Sequence, residues 1–286
     1  MAVTDERRHG QGASGTNDFS PAAGTDYYYA SLYYPLPQRR RIQLLEALRR
    51  ELSVIPEVCR DRGVAHTKLA WWHDELDHLE RGTPRHQLSR CLAPYFHSEP
   101  GLSNCFRDFI VALHSSLSDV VPPTRDAVLD EIAAVHGGVI RALAETSPRQ
   151  DEADYEQLRR LAVLVELAYD LRGLRQHRRS ATLHLSASAL AAHGLTANVV
   201  RDTPTSKPLE ALLKAELTEL RGEIAATLDQ MPKHLRNQQR LFTTLARIQL
   251  HAVKLTLEDG CQVLERRIDP TPVHKLMLAL RTRLFG

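Results

Sequence analysis

The chain lacks every framework that would staple a small secreted or metal-built protein. Its four cysteines, Cys59, Cys91, Cys105 and Cys261, are scattered, with no C-x-x-C pair and no zinc-ligand spacing. They read as reduced thiols of a cytoplasmic protein. No apolar run approaches the ~20 residues that cross a bilayer, so any membrane role predicted here is peripheral. Charge of one sign is also scarce. Lys and Arg number 37 against 35 Asp and Glu, a net charge of +2, which argues against a nucleic-acid partner. Runs of β-branched residues alternating at period two are missing, which speaks against a sheet. No G-x-S-x-G, P-loop or G-x-G-x-x-G motif points to a hydrolase or nucleotide enzyme.

What remains is helical grammar in a chain of 286 residues, 43% hydrophobic and 25% charged, the makeup of a globular protein. Residues 1–25 are rich in Gly, Ser, Ala and charge and cannot bury enough apolar surface to order themselves, so a disordered tail is expected. Residues 26–286 are expected to form one all-α domain. Leu44, Leu45, Leu48 and Leu52 make a stripe within Arg40–Val54, and Pro56 is expected to kink or end that helix. Val64–Leu79, Asn104–Leu117, Arg125–Leu143 and Tyr155–Leu174 follow, and Ser180–Leu195 departs from the period. Leu209–Leu228 and Leu241–Leu257 are strongly periodic. Pro272–Leu284 closes the chain with Thr271 as N-cap and Pro272 at the first helical position.

Three landmarks occur in order. The first is Tyr28, Ser31, Pro35, Arg39-Arg40 and Ala47-Leu48, then Lys68-Leu69-Ala70-Trp71-Trp72-His73-Asp74-Glu75-Leu76. The second is Leu171-Arg172-Gly173, Arg178-Arg179, Leu185-Ser186 and His193-Gly194-Leu195. The third is Leu257-Glu258-Asp259-Gly260, Val263, Arg266-Arg267-Ile268 and Lys275-Leu276. Together they resemble the squalene/phytoene synthase family of head-to-head prenyltransferases. The resemblance implies an isoprenoid-synthase-like helical bundle around a central apolar cavity. It also implies two Asp-rich motifs that hold Mg²⁺ against the diphosphates of two prenyl substrates.

Those motifs are degenerate in this chain. Where the first is expected stands Ser53-Val-Ile-Pro-Glu57, and where the second is expected stands Gly173-Leu-Arg-Gln-His177. Paired carboxylates four residues apart share a helix face and suit a hard cation, yet only Glu57 of four is a carboxylate. Asp170 lies three residues before the expected position, so Glu57 and Asp170 are the weak metal candidates, and Mg²⁺ is expected only if the protein is catalytic. The pattern is similar to the branch of the family that includes the mitochondrial complex I assembly factor, with Leu45–Leu52 matching its A-L-x-x-F-x-x-E-L helix. That resemblance implies a non-catalytic role in isoprenoid or anion binding, or in assembly with a protein partner. The alternative is an active enzyme that condenses two prenyl diphosphates.

Several residues carry two readings. Arg172, Arg175, Arg178 and Arg179 either bind phosphate through guanidinium forks or offset a helix dipole at a solvated end. Arg49 and Arg50 add to the first reading, and Arg50, Arg172 and Arg178 are the candidate anion ligands. His73 with Asp77 and Asp74 with His78 have metal-ligand spacing, but a solvated helix face is the favoured reading. Trp71 and Trp72 point about 100° apart on a helix, so one is expected in the core and the other at a neighbouring pocket. The tyrosines at 27–29 and 33–34 are expected to anchor the N-terminal segment.

Overall fold

Helical periodicity carries through the whole fold, a computed structural model that describes residues 19–59, 61–118, 120–144, 151–177, 183–202 and 204–285. In chain order these form α1 (Asp26–Ser31), α2 (Leu36–Val58), α3 (Arg62–Glu80), α4 (Gln87–Ser98), α5 (Gly101–Ser116), α6 (Arg125–Ala144) and α7 (Glu152–Arg172). There follow α8 (Leu174–His177), α9 (Ala187–Ala192), α10 (Ala197–Asp202), α11 (Lys207–Gln230), α12 (Lys233–Gln238), α13 (Arg240–Glu258) and α14 (Pro272–Phe285). No strand occurs among the described residues, so the fold is all-α.

Local signals fix several boundaries. Thr25 caps α1 by accepting from the Tyr28 amide, and Asp61 caps α3 through the Val64 amide. Thr271 accepts from the His274 amide at the start of α14, as expected. Of the two expectations for Pro56, a kink or an end, the end is not met at that residue. The helix runs two residues past it, and the Cys59 amide still reaches the Ile55 carbonyl at 3.1 Å. A proline this close to the C-terminus removes only one ladder bond, which the buried stripe of α2 tolerates.

The core is continuous. Leu44, Leu45, Leu48 and Leu52 of α2 are buried with Leu69 and Leu76 of α3, Phe106 and Phe109 of α5, and Leu158 and Leu161 of α7. Each such side chain contributes roughly 1.5–3 kcal/mol through burial. Helix α7 is central, packed against α6, α11 and α13. Helices α5 and α6 approach so closely that a Cβ on Gly138 would collide with the Cys105 carbonyl oxygen, so only glycine fits there.

The tyrosines behave as anchors. Tyr27 and Tyr29 are buried, and the Tyr34 hydroxyl accepts from the Leu241 amide at 2.8 Å. Trp72 is buried and Trp71 is 41% exposed, beside a small pocket shared with Val54, Ile55 and Lys68. Residues 1–18 lie outside the described residues. Residues 19–25, expected within the tail, are placed on the domain, with Ser20 donating to Gln43 at 3.1 Å. No described helix is long and apolar enough to cross a membrane.

Candidate functional site

A cavity of about 620 Å³ opens between α2, α6 and α7. Helix α2 presents Glu46, Arg49, Arg50, Ser53 and Glu57 to it, residues spaced by one, three and four that share one face. Opposite, α7 presents Glu166, Tyr169 and Asp170. His136 comes from α6, His184 from the segment before α9, and Arg267, Asp269 and Lys275 from the entry to α14.

Polar and charged residues supply most of the cavity lining, although their carbon atoms make up the larger part of its exposed wall, so the expected apolar lining is met only in part. Val54, Leu113 and Val135 are among its few aliphatic side chains. The leucines of α2 and α7, Leu45, Leu48, Leu164, Leu167 and Leu171 among them, turn into the packed core instead. A helix with one leucine stripe buried has only its polar stripe left for the cavity.

Cations and carboxylates meet across this space. Arg49 donates to both Glu46 oxygens, at 2.6 and 2.9 Å, and lies 3.9 Å from Glu166. Its guanidinium sits 5.3 Å from the Tyr27 ring centroid. Burial pushes the Glu46 and Glu166 carboxyls up, an effect Arg49 offsets only in part. Burial works against the Arg49 charge too, but Glu46, Tyr27 and Glu166 outweigh it and hold its pKa well above the ordinary value. His184 Nδ1 lies 2.7 Å from Asp170 Oδ2. His136 is pushed down to about 4, first by burial and then by Arg49. Its Nδ1 is shut off from solvent with no hydrogen-bond partner.

A second network lies beneath. Asp26 Oδ2 accepts from the Tyr169 hydroxyl and from Gln249 Nε2, each at 2.8 Å, and Lys275 Nζ pairs with Asp26 Oδ1 at 2.7 Å. Lys275 thus ties α14 to α1, and not only to its own turn.

Of the residues singled out in the sequence, Ser53, Glu57, Asp170 and Arg50 do line this one cavity. Gly173 is buried at the C-cap of α7 and presents no side chain. His177 ends α8, and Arg178 lies outside the described residues. Arg172 is a correction. It is 1% exposed and donates to Thr256, Gln249, the Ile268 carbonyl and Asp269, at 3.3, 2.7, 2.6 and 2.6 Å. A guanidinium that spends four of its five donors on these acceptors, and is buried, holds α7 against α13 and does not face the cavity. The His73–His78 face is solvated: Asp74 pairs with Arg85 at 2.7 Å and Asp77 with Arg107 at 2.5 Å.

Sequence reasoning missed Glu46, His136, Glu166 and His184, and it read Arg49 as part of the anion-binding run, not as the partner of two glutamates. Extending the face of Ser53 and Glu57 back along α2 reaches Arg49 and Glu46, and stepping one turn back from Asp170 reaches Glu166. The two histidines carry no such signal, because they arrive from other elements.

Mg²⁺ favours several ionised oxygen ligands, and here it would compete with the protein's own basic groups, because Glu46 and Glu166 flank Arg49 and Asp170 pairs with His184. No group of three or more metal-ligating side chains converges among the described residues.

Architecture defines the class first. A dehydrosqualene synthase crystallised in complex with ligand superposes with a TM-score of 0.68 at 16% identity, over 90% of each chain. Squalene synthase HpnC from Alicyclobacillus acidocaldarius does so with a TM-score of 0.61 at 15% identity, over 82% of this chain and 89% of its own. The fold is that of these all-helical synthases. The family profile of squalene/phytoene synthase matches residues 20–273, and the chain belongs to that family. No curated protein matches it by sequence.

Proposed function

We propose that this family member does not carry out Mg²⁺-dependent prenyl transfer, and that its cavity serves a binding or assembly role with a small anionic or prenyl-diphosphate-like ligand. One observation carries the reading. Three of the four carboxylates that face the cavity from α2 and α7 are matched to the protein's own basic side chains, Glu46 and Glu166 to Arg49 and Asp170 to His184. A bridging metal would have to compete with those partners for the same carboxylate oxygens before it could hold a diphosphate. Arg50 is exposed at the rim and is the cation available to an incoming anion, with no need of a metal.

The active-enzyme reading keeps Glu57 and Asp170 as ligands, since both line the cavity. Incubation with farnesyl or geranylgeranyl diphosphate and Mg²⁺ separates the two. The proposal expects no pyrophosphate above background. Release that disappears in Glu57→Ala establishes the enzyme instead.

A further inference from the structure

A second cleft, of about 580 Å³, lies away from the family site between α11, α13 and α14. Its wall carries Arg221, Arg236, Arg247, Lys254 and Arg281 against one carboxylate, Asp229. None of the four arginines forms an ion pair among the described residues. Arg236 donates to the Leu228 carbonyl at 3.3 Å and Arg247 to Thr282 Oγ1 at 2.8 Å, both neutral acceptors. Arg236 Nε is shut off from solvent with no acceptor at all. Burial, and then the neighbouring Arg281 and Arg236, lower the pKa of Arg247, the mark of cations crowded without counter-charge.

The border of this cleft is apolar. Helix α14 turns Lys275, Ala279 and Thr282 inward, leaving Val273, Met277, Leu280 and Leu284 on its outer side. Met277 and Leu284 are 63% and 62% exposed. They stand four residues before and three after Arg281, so helical geometry places them next to the cationic edge. An outward apolar stripe flanked by arginine is the arrangement of a helix lying in a membrane interface. A second copy of this chain fits poorly, because a two-fold contact would set the unpaired arginines of one cleft near those of the other.

We propose that α14 and the basic cleft beside it form a docking surface for an anionic phospholipid membrane, the cleft taking the headgroup phosphate and the stripe entering the interface. Guanidinium forks match phosphate oxygens bidentately. Basic residues near an anionic leaflet are attracted over about a Debye length, ~8 Å at physiological salt. The surface is independent of the α2–α7 cavity, so its test does not depend on whether that cavity is catalytic.

Co-sedimentation of the full chain with vesicles decides it. Vesicles of phosphatidylcholine with phosphatidylglycerol are expected to bind the protein at least tenfold more tightly than phosphatidylcholine alone, with the difference shrinking as salt rises. The double variant Arg221→Glu/Arg281→Glu is expected to lose that tenfold preference. Met277→Ser/Leu284→Ser, which leaves the charge intact, is expected to lose at least threefold in binding. All four side chains are exposed, and an unchanged helical circular dichroism spectrum verifies that the variants fold. Equal binding to both vesicle types overturns the proposal. So does inorganic pyrophosphate binding in the cleft without vesicle binding, which identifies a soluble anion, and so does a concentration-dependent dimer broken by Leu284→Ser.

Discussion

The two cavities treat arginine in opposite ways. In the α2–α7 cavity Arg49, Arg267 and Lys275 rest on Glu46, Asp269 and Asp26, whereas Arg221, Arg236, Arg247 and Arg281 of the α11–α14 cleft have no carboxylate partner among the described residues. The first region has the charge balance of a site closed on itself. The second has the imbalance of a surface that awaits an anion. The first cavity leaves Arg50 at its rim for an incoming anion, whereas the second leaves four guanidinium groups, so the pairing of each cation is what separates the two regions.

Removing one arginine from each region breaks or sharpens the contrast. Arg49→Met strands Glu46 and Glu166 in a buried setting, and thermal or chemical denaturation is expected to show a loss of about 3–5 kcal/mol. Arg281→Gln relieves repulsion at an exposed position, and the same measurement is expected to show a change of no more than about 0.5 kcal/mol, toward higher stability. Equal losses at the two positions contradict the contrast.

Acid titration probes the first cavity alone. His136 has a folded pKa of about 4 against an ordinary 6.5, so the unfolded chain takes up its proton first. The stability this neutral imidazole allows is complete above pH 6.5 and declines as pH falls toward 4. The decline is at most about 3.5 kcal/mol, since each tenfold difference in proton affinity between the folded and unfolded chains is worth about 1.4 kcal/mol. Glu46 and Glu166, with raised pKa values, act with the opposite sign, losing stability as pH rises through their folded values. Comparing His136→Gln with the unsubstituted protein isolates the histidine. The variant is expected to have the flatter profile between pH 6.5 and 4, and parallel profiles remove His136 from the account.

Much of the fold was legible because apolar period and helix length reinforce each other over α6, α7, α11, α13 and α14. Helix α4 was missed: it is a short element with Pro94 inside, so its stripe is brief and its composition reads as a turn. The end of α2 was misplaced because proline was weighed without the buried leucines that carry the helix past it. The site was legible only along single helices. Ser53 and Glu57 were found because the family resemblance places the first motif there, Asp170 by its distance from the expected second motif, and Arg50 by its neighbourhood. Arg172 was assigned to an anion because its charge is visible in sequence and its acceptors are not. Gln249, Thr256 and Asp269 lie 77 to 97 residues away. His136 and His184 were missed for the same reason, since a cavity assembled from separate elements has no local spacing.

Titration calorimetry with an unreactive thiolo analogue of farnesyl diphosphate, in EDTA and again in Mg²⁺, tests the central claim most directly. The account predicts the same affinity under both conditions, within a factor of about two, and weaker binding in Arg50→Ala, because a guanidinium keeps its charge without a metal. Binding that appears only with Mg²⁺ contradicts it.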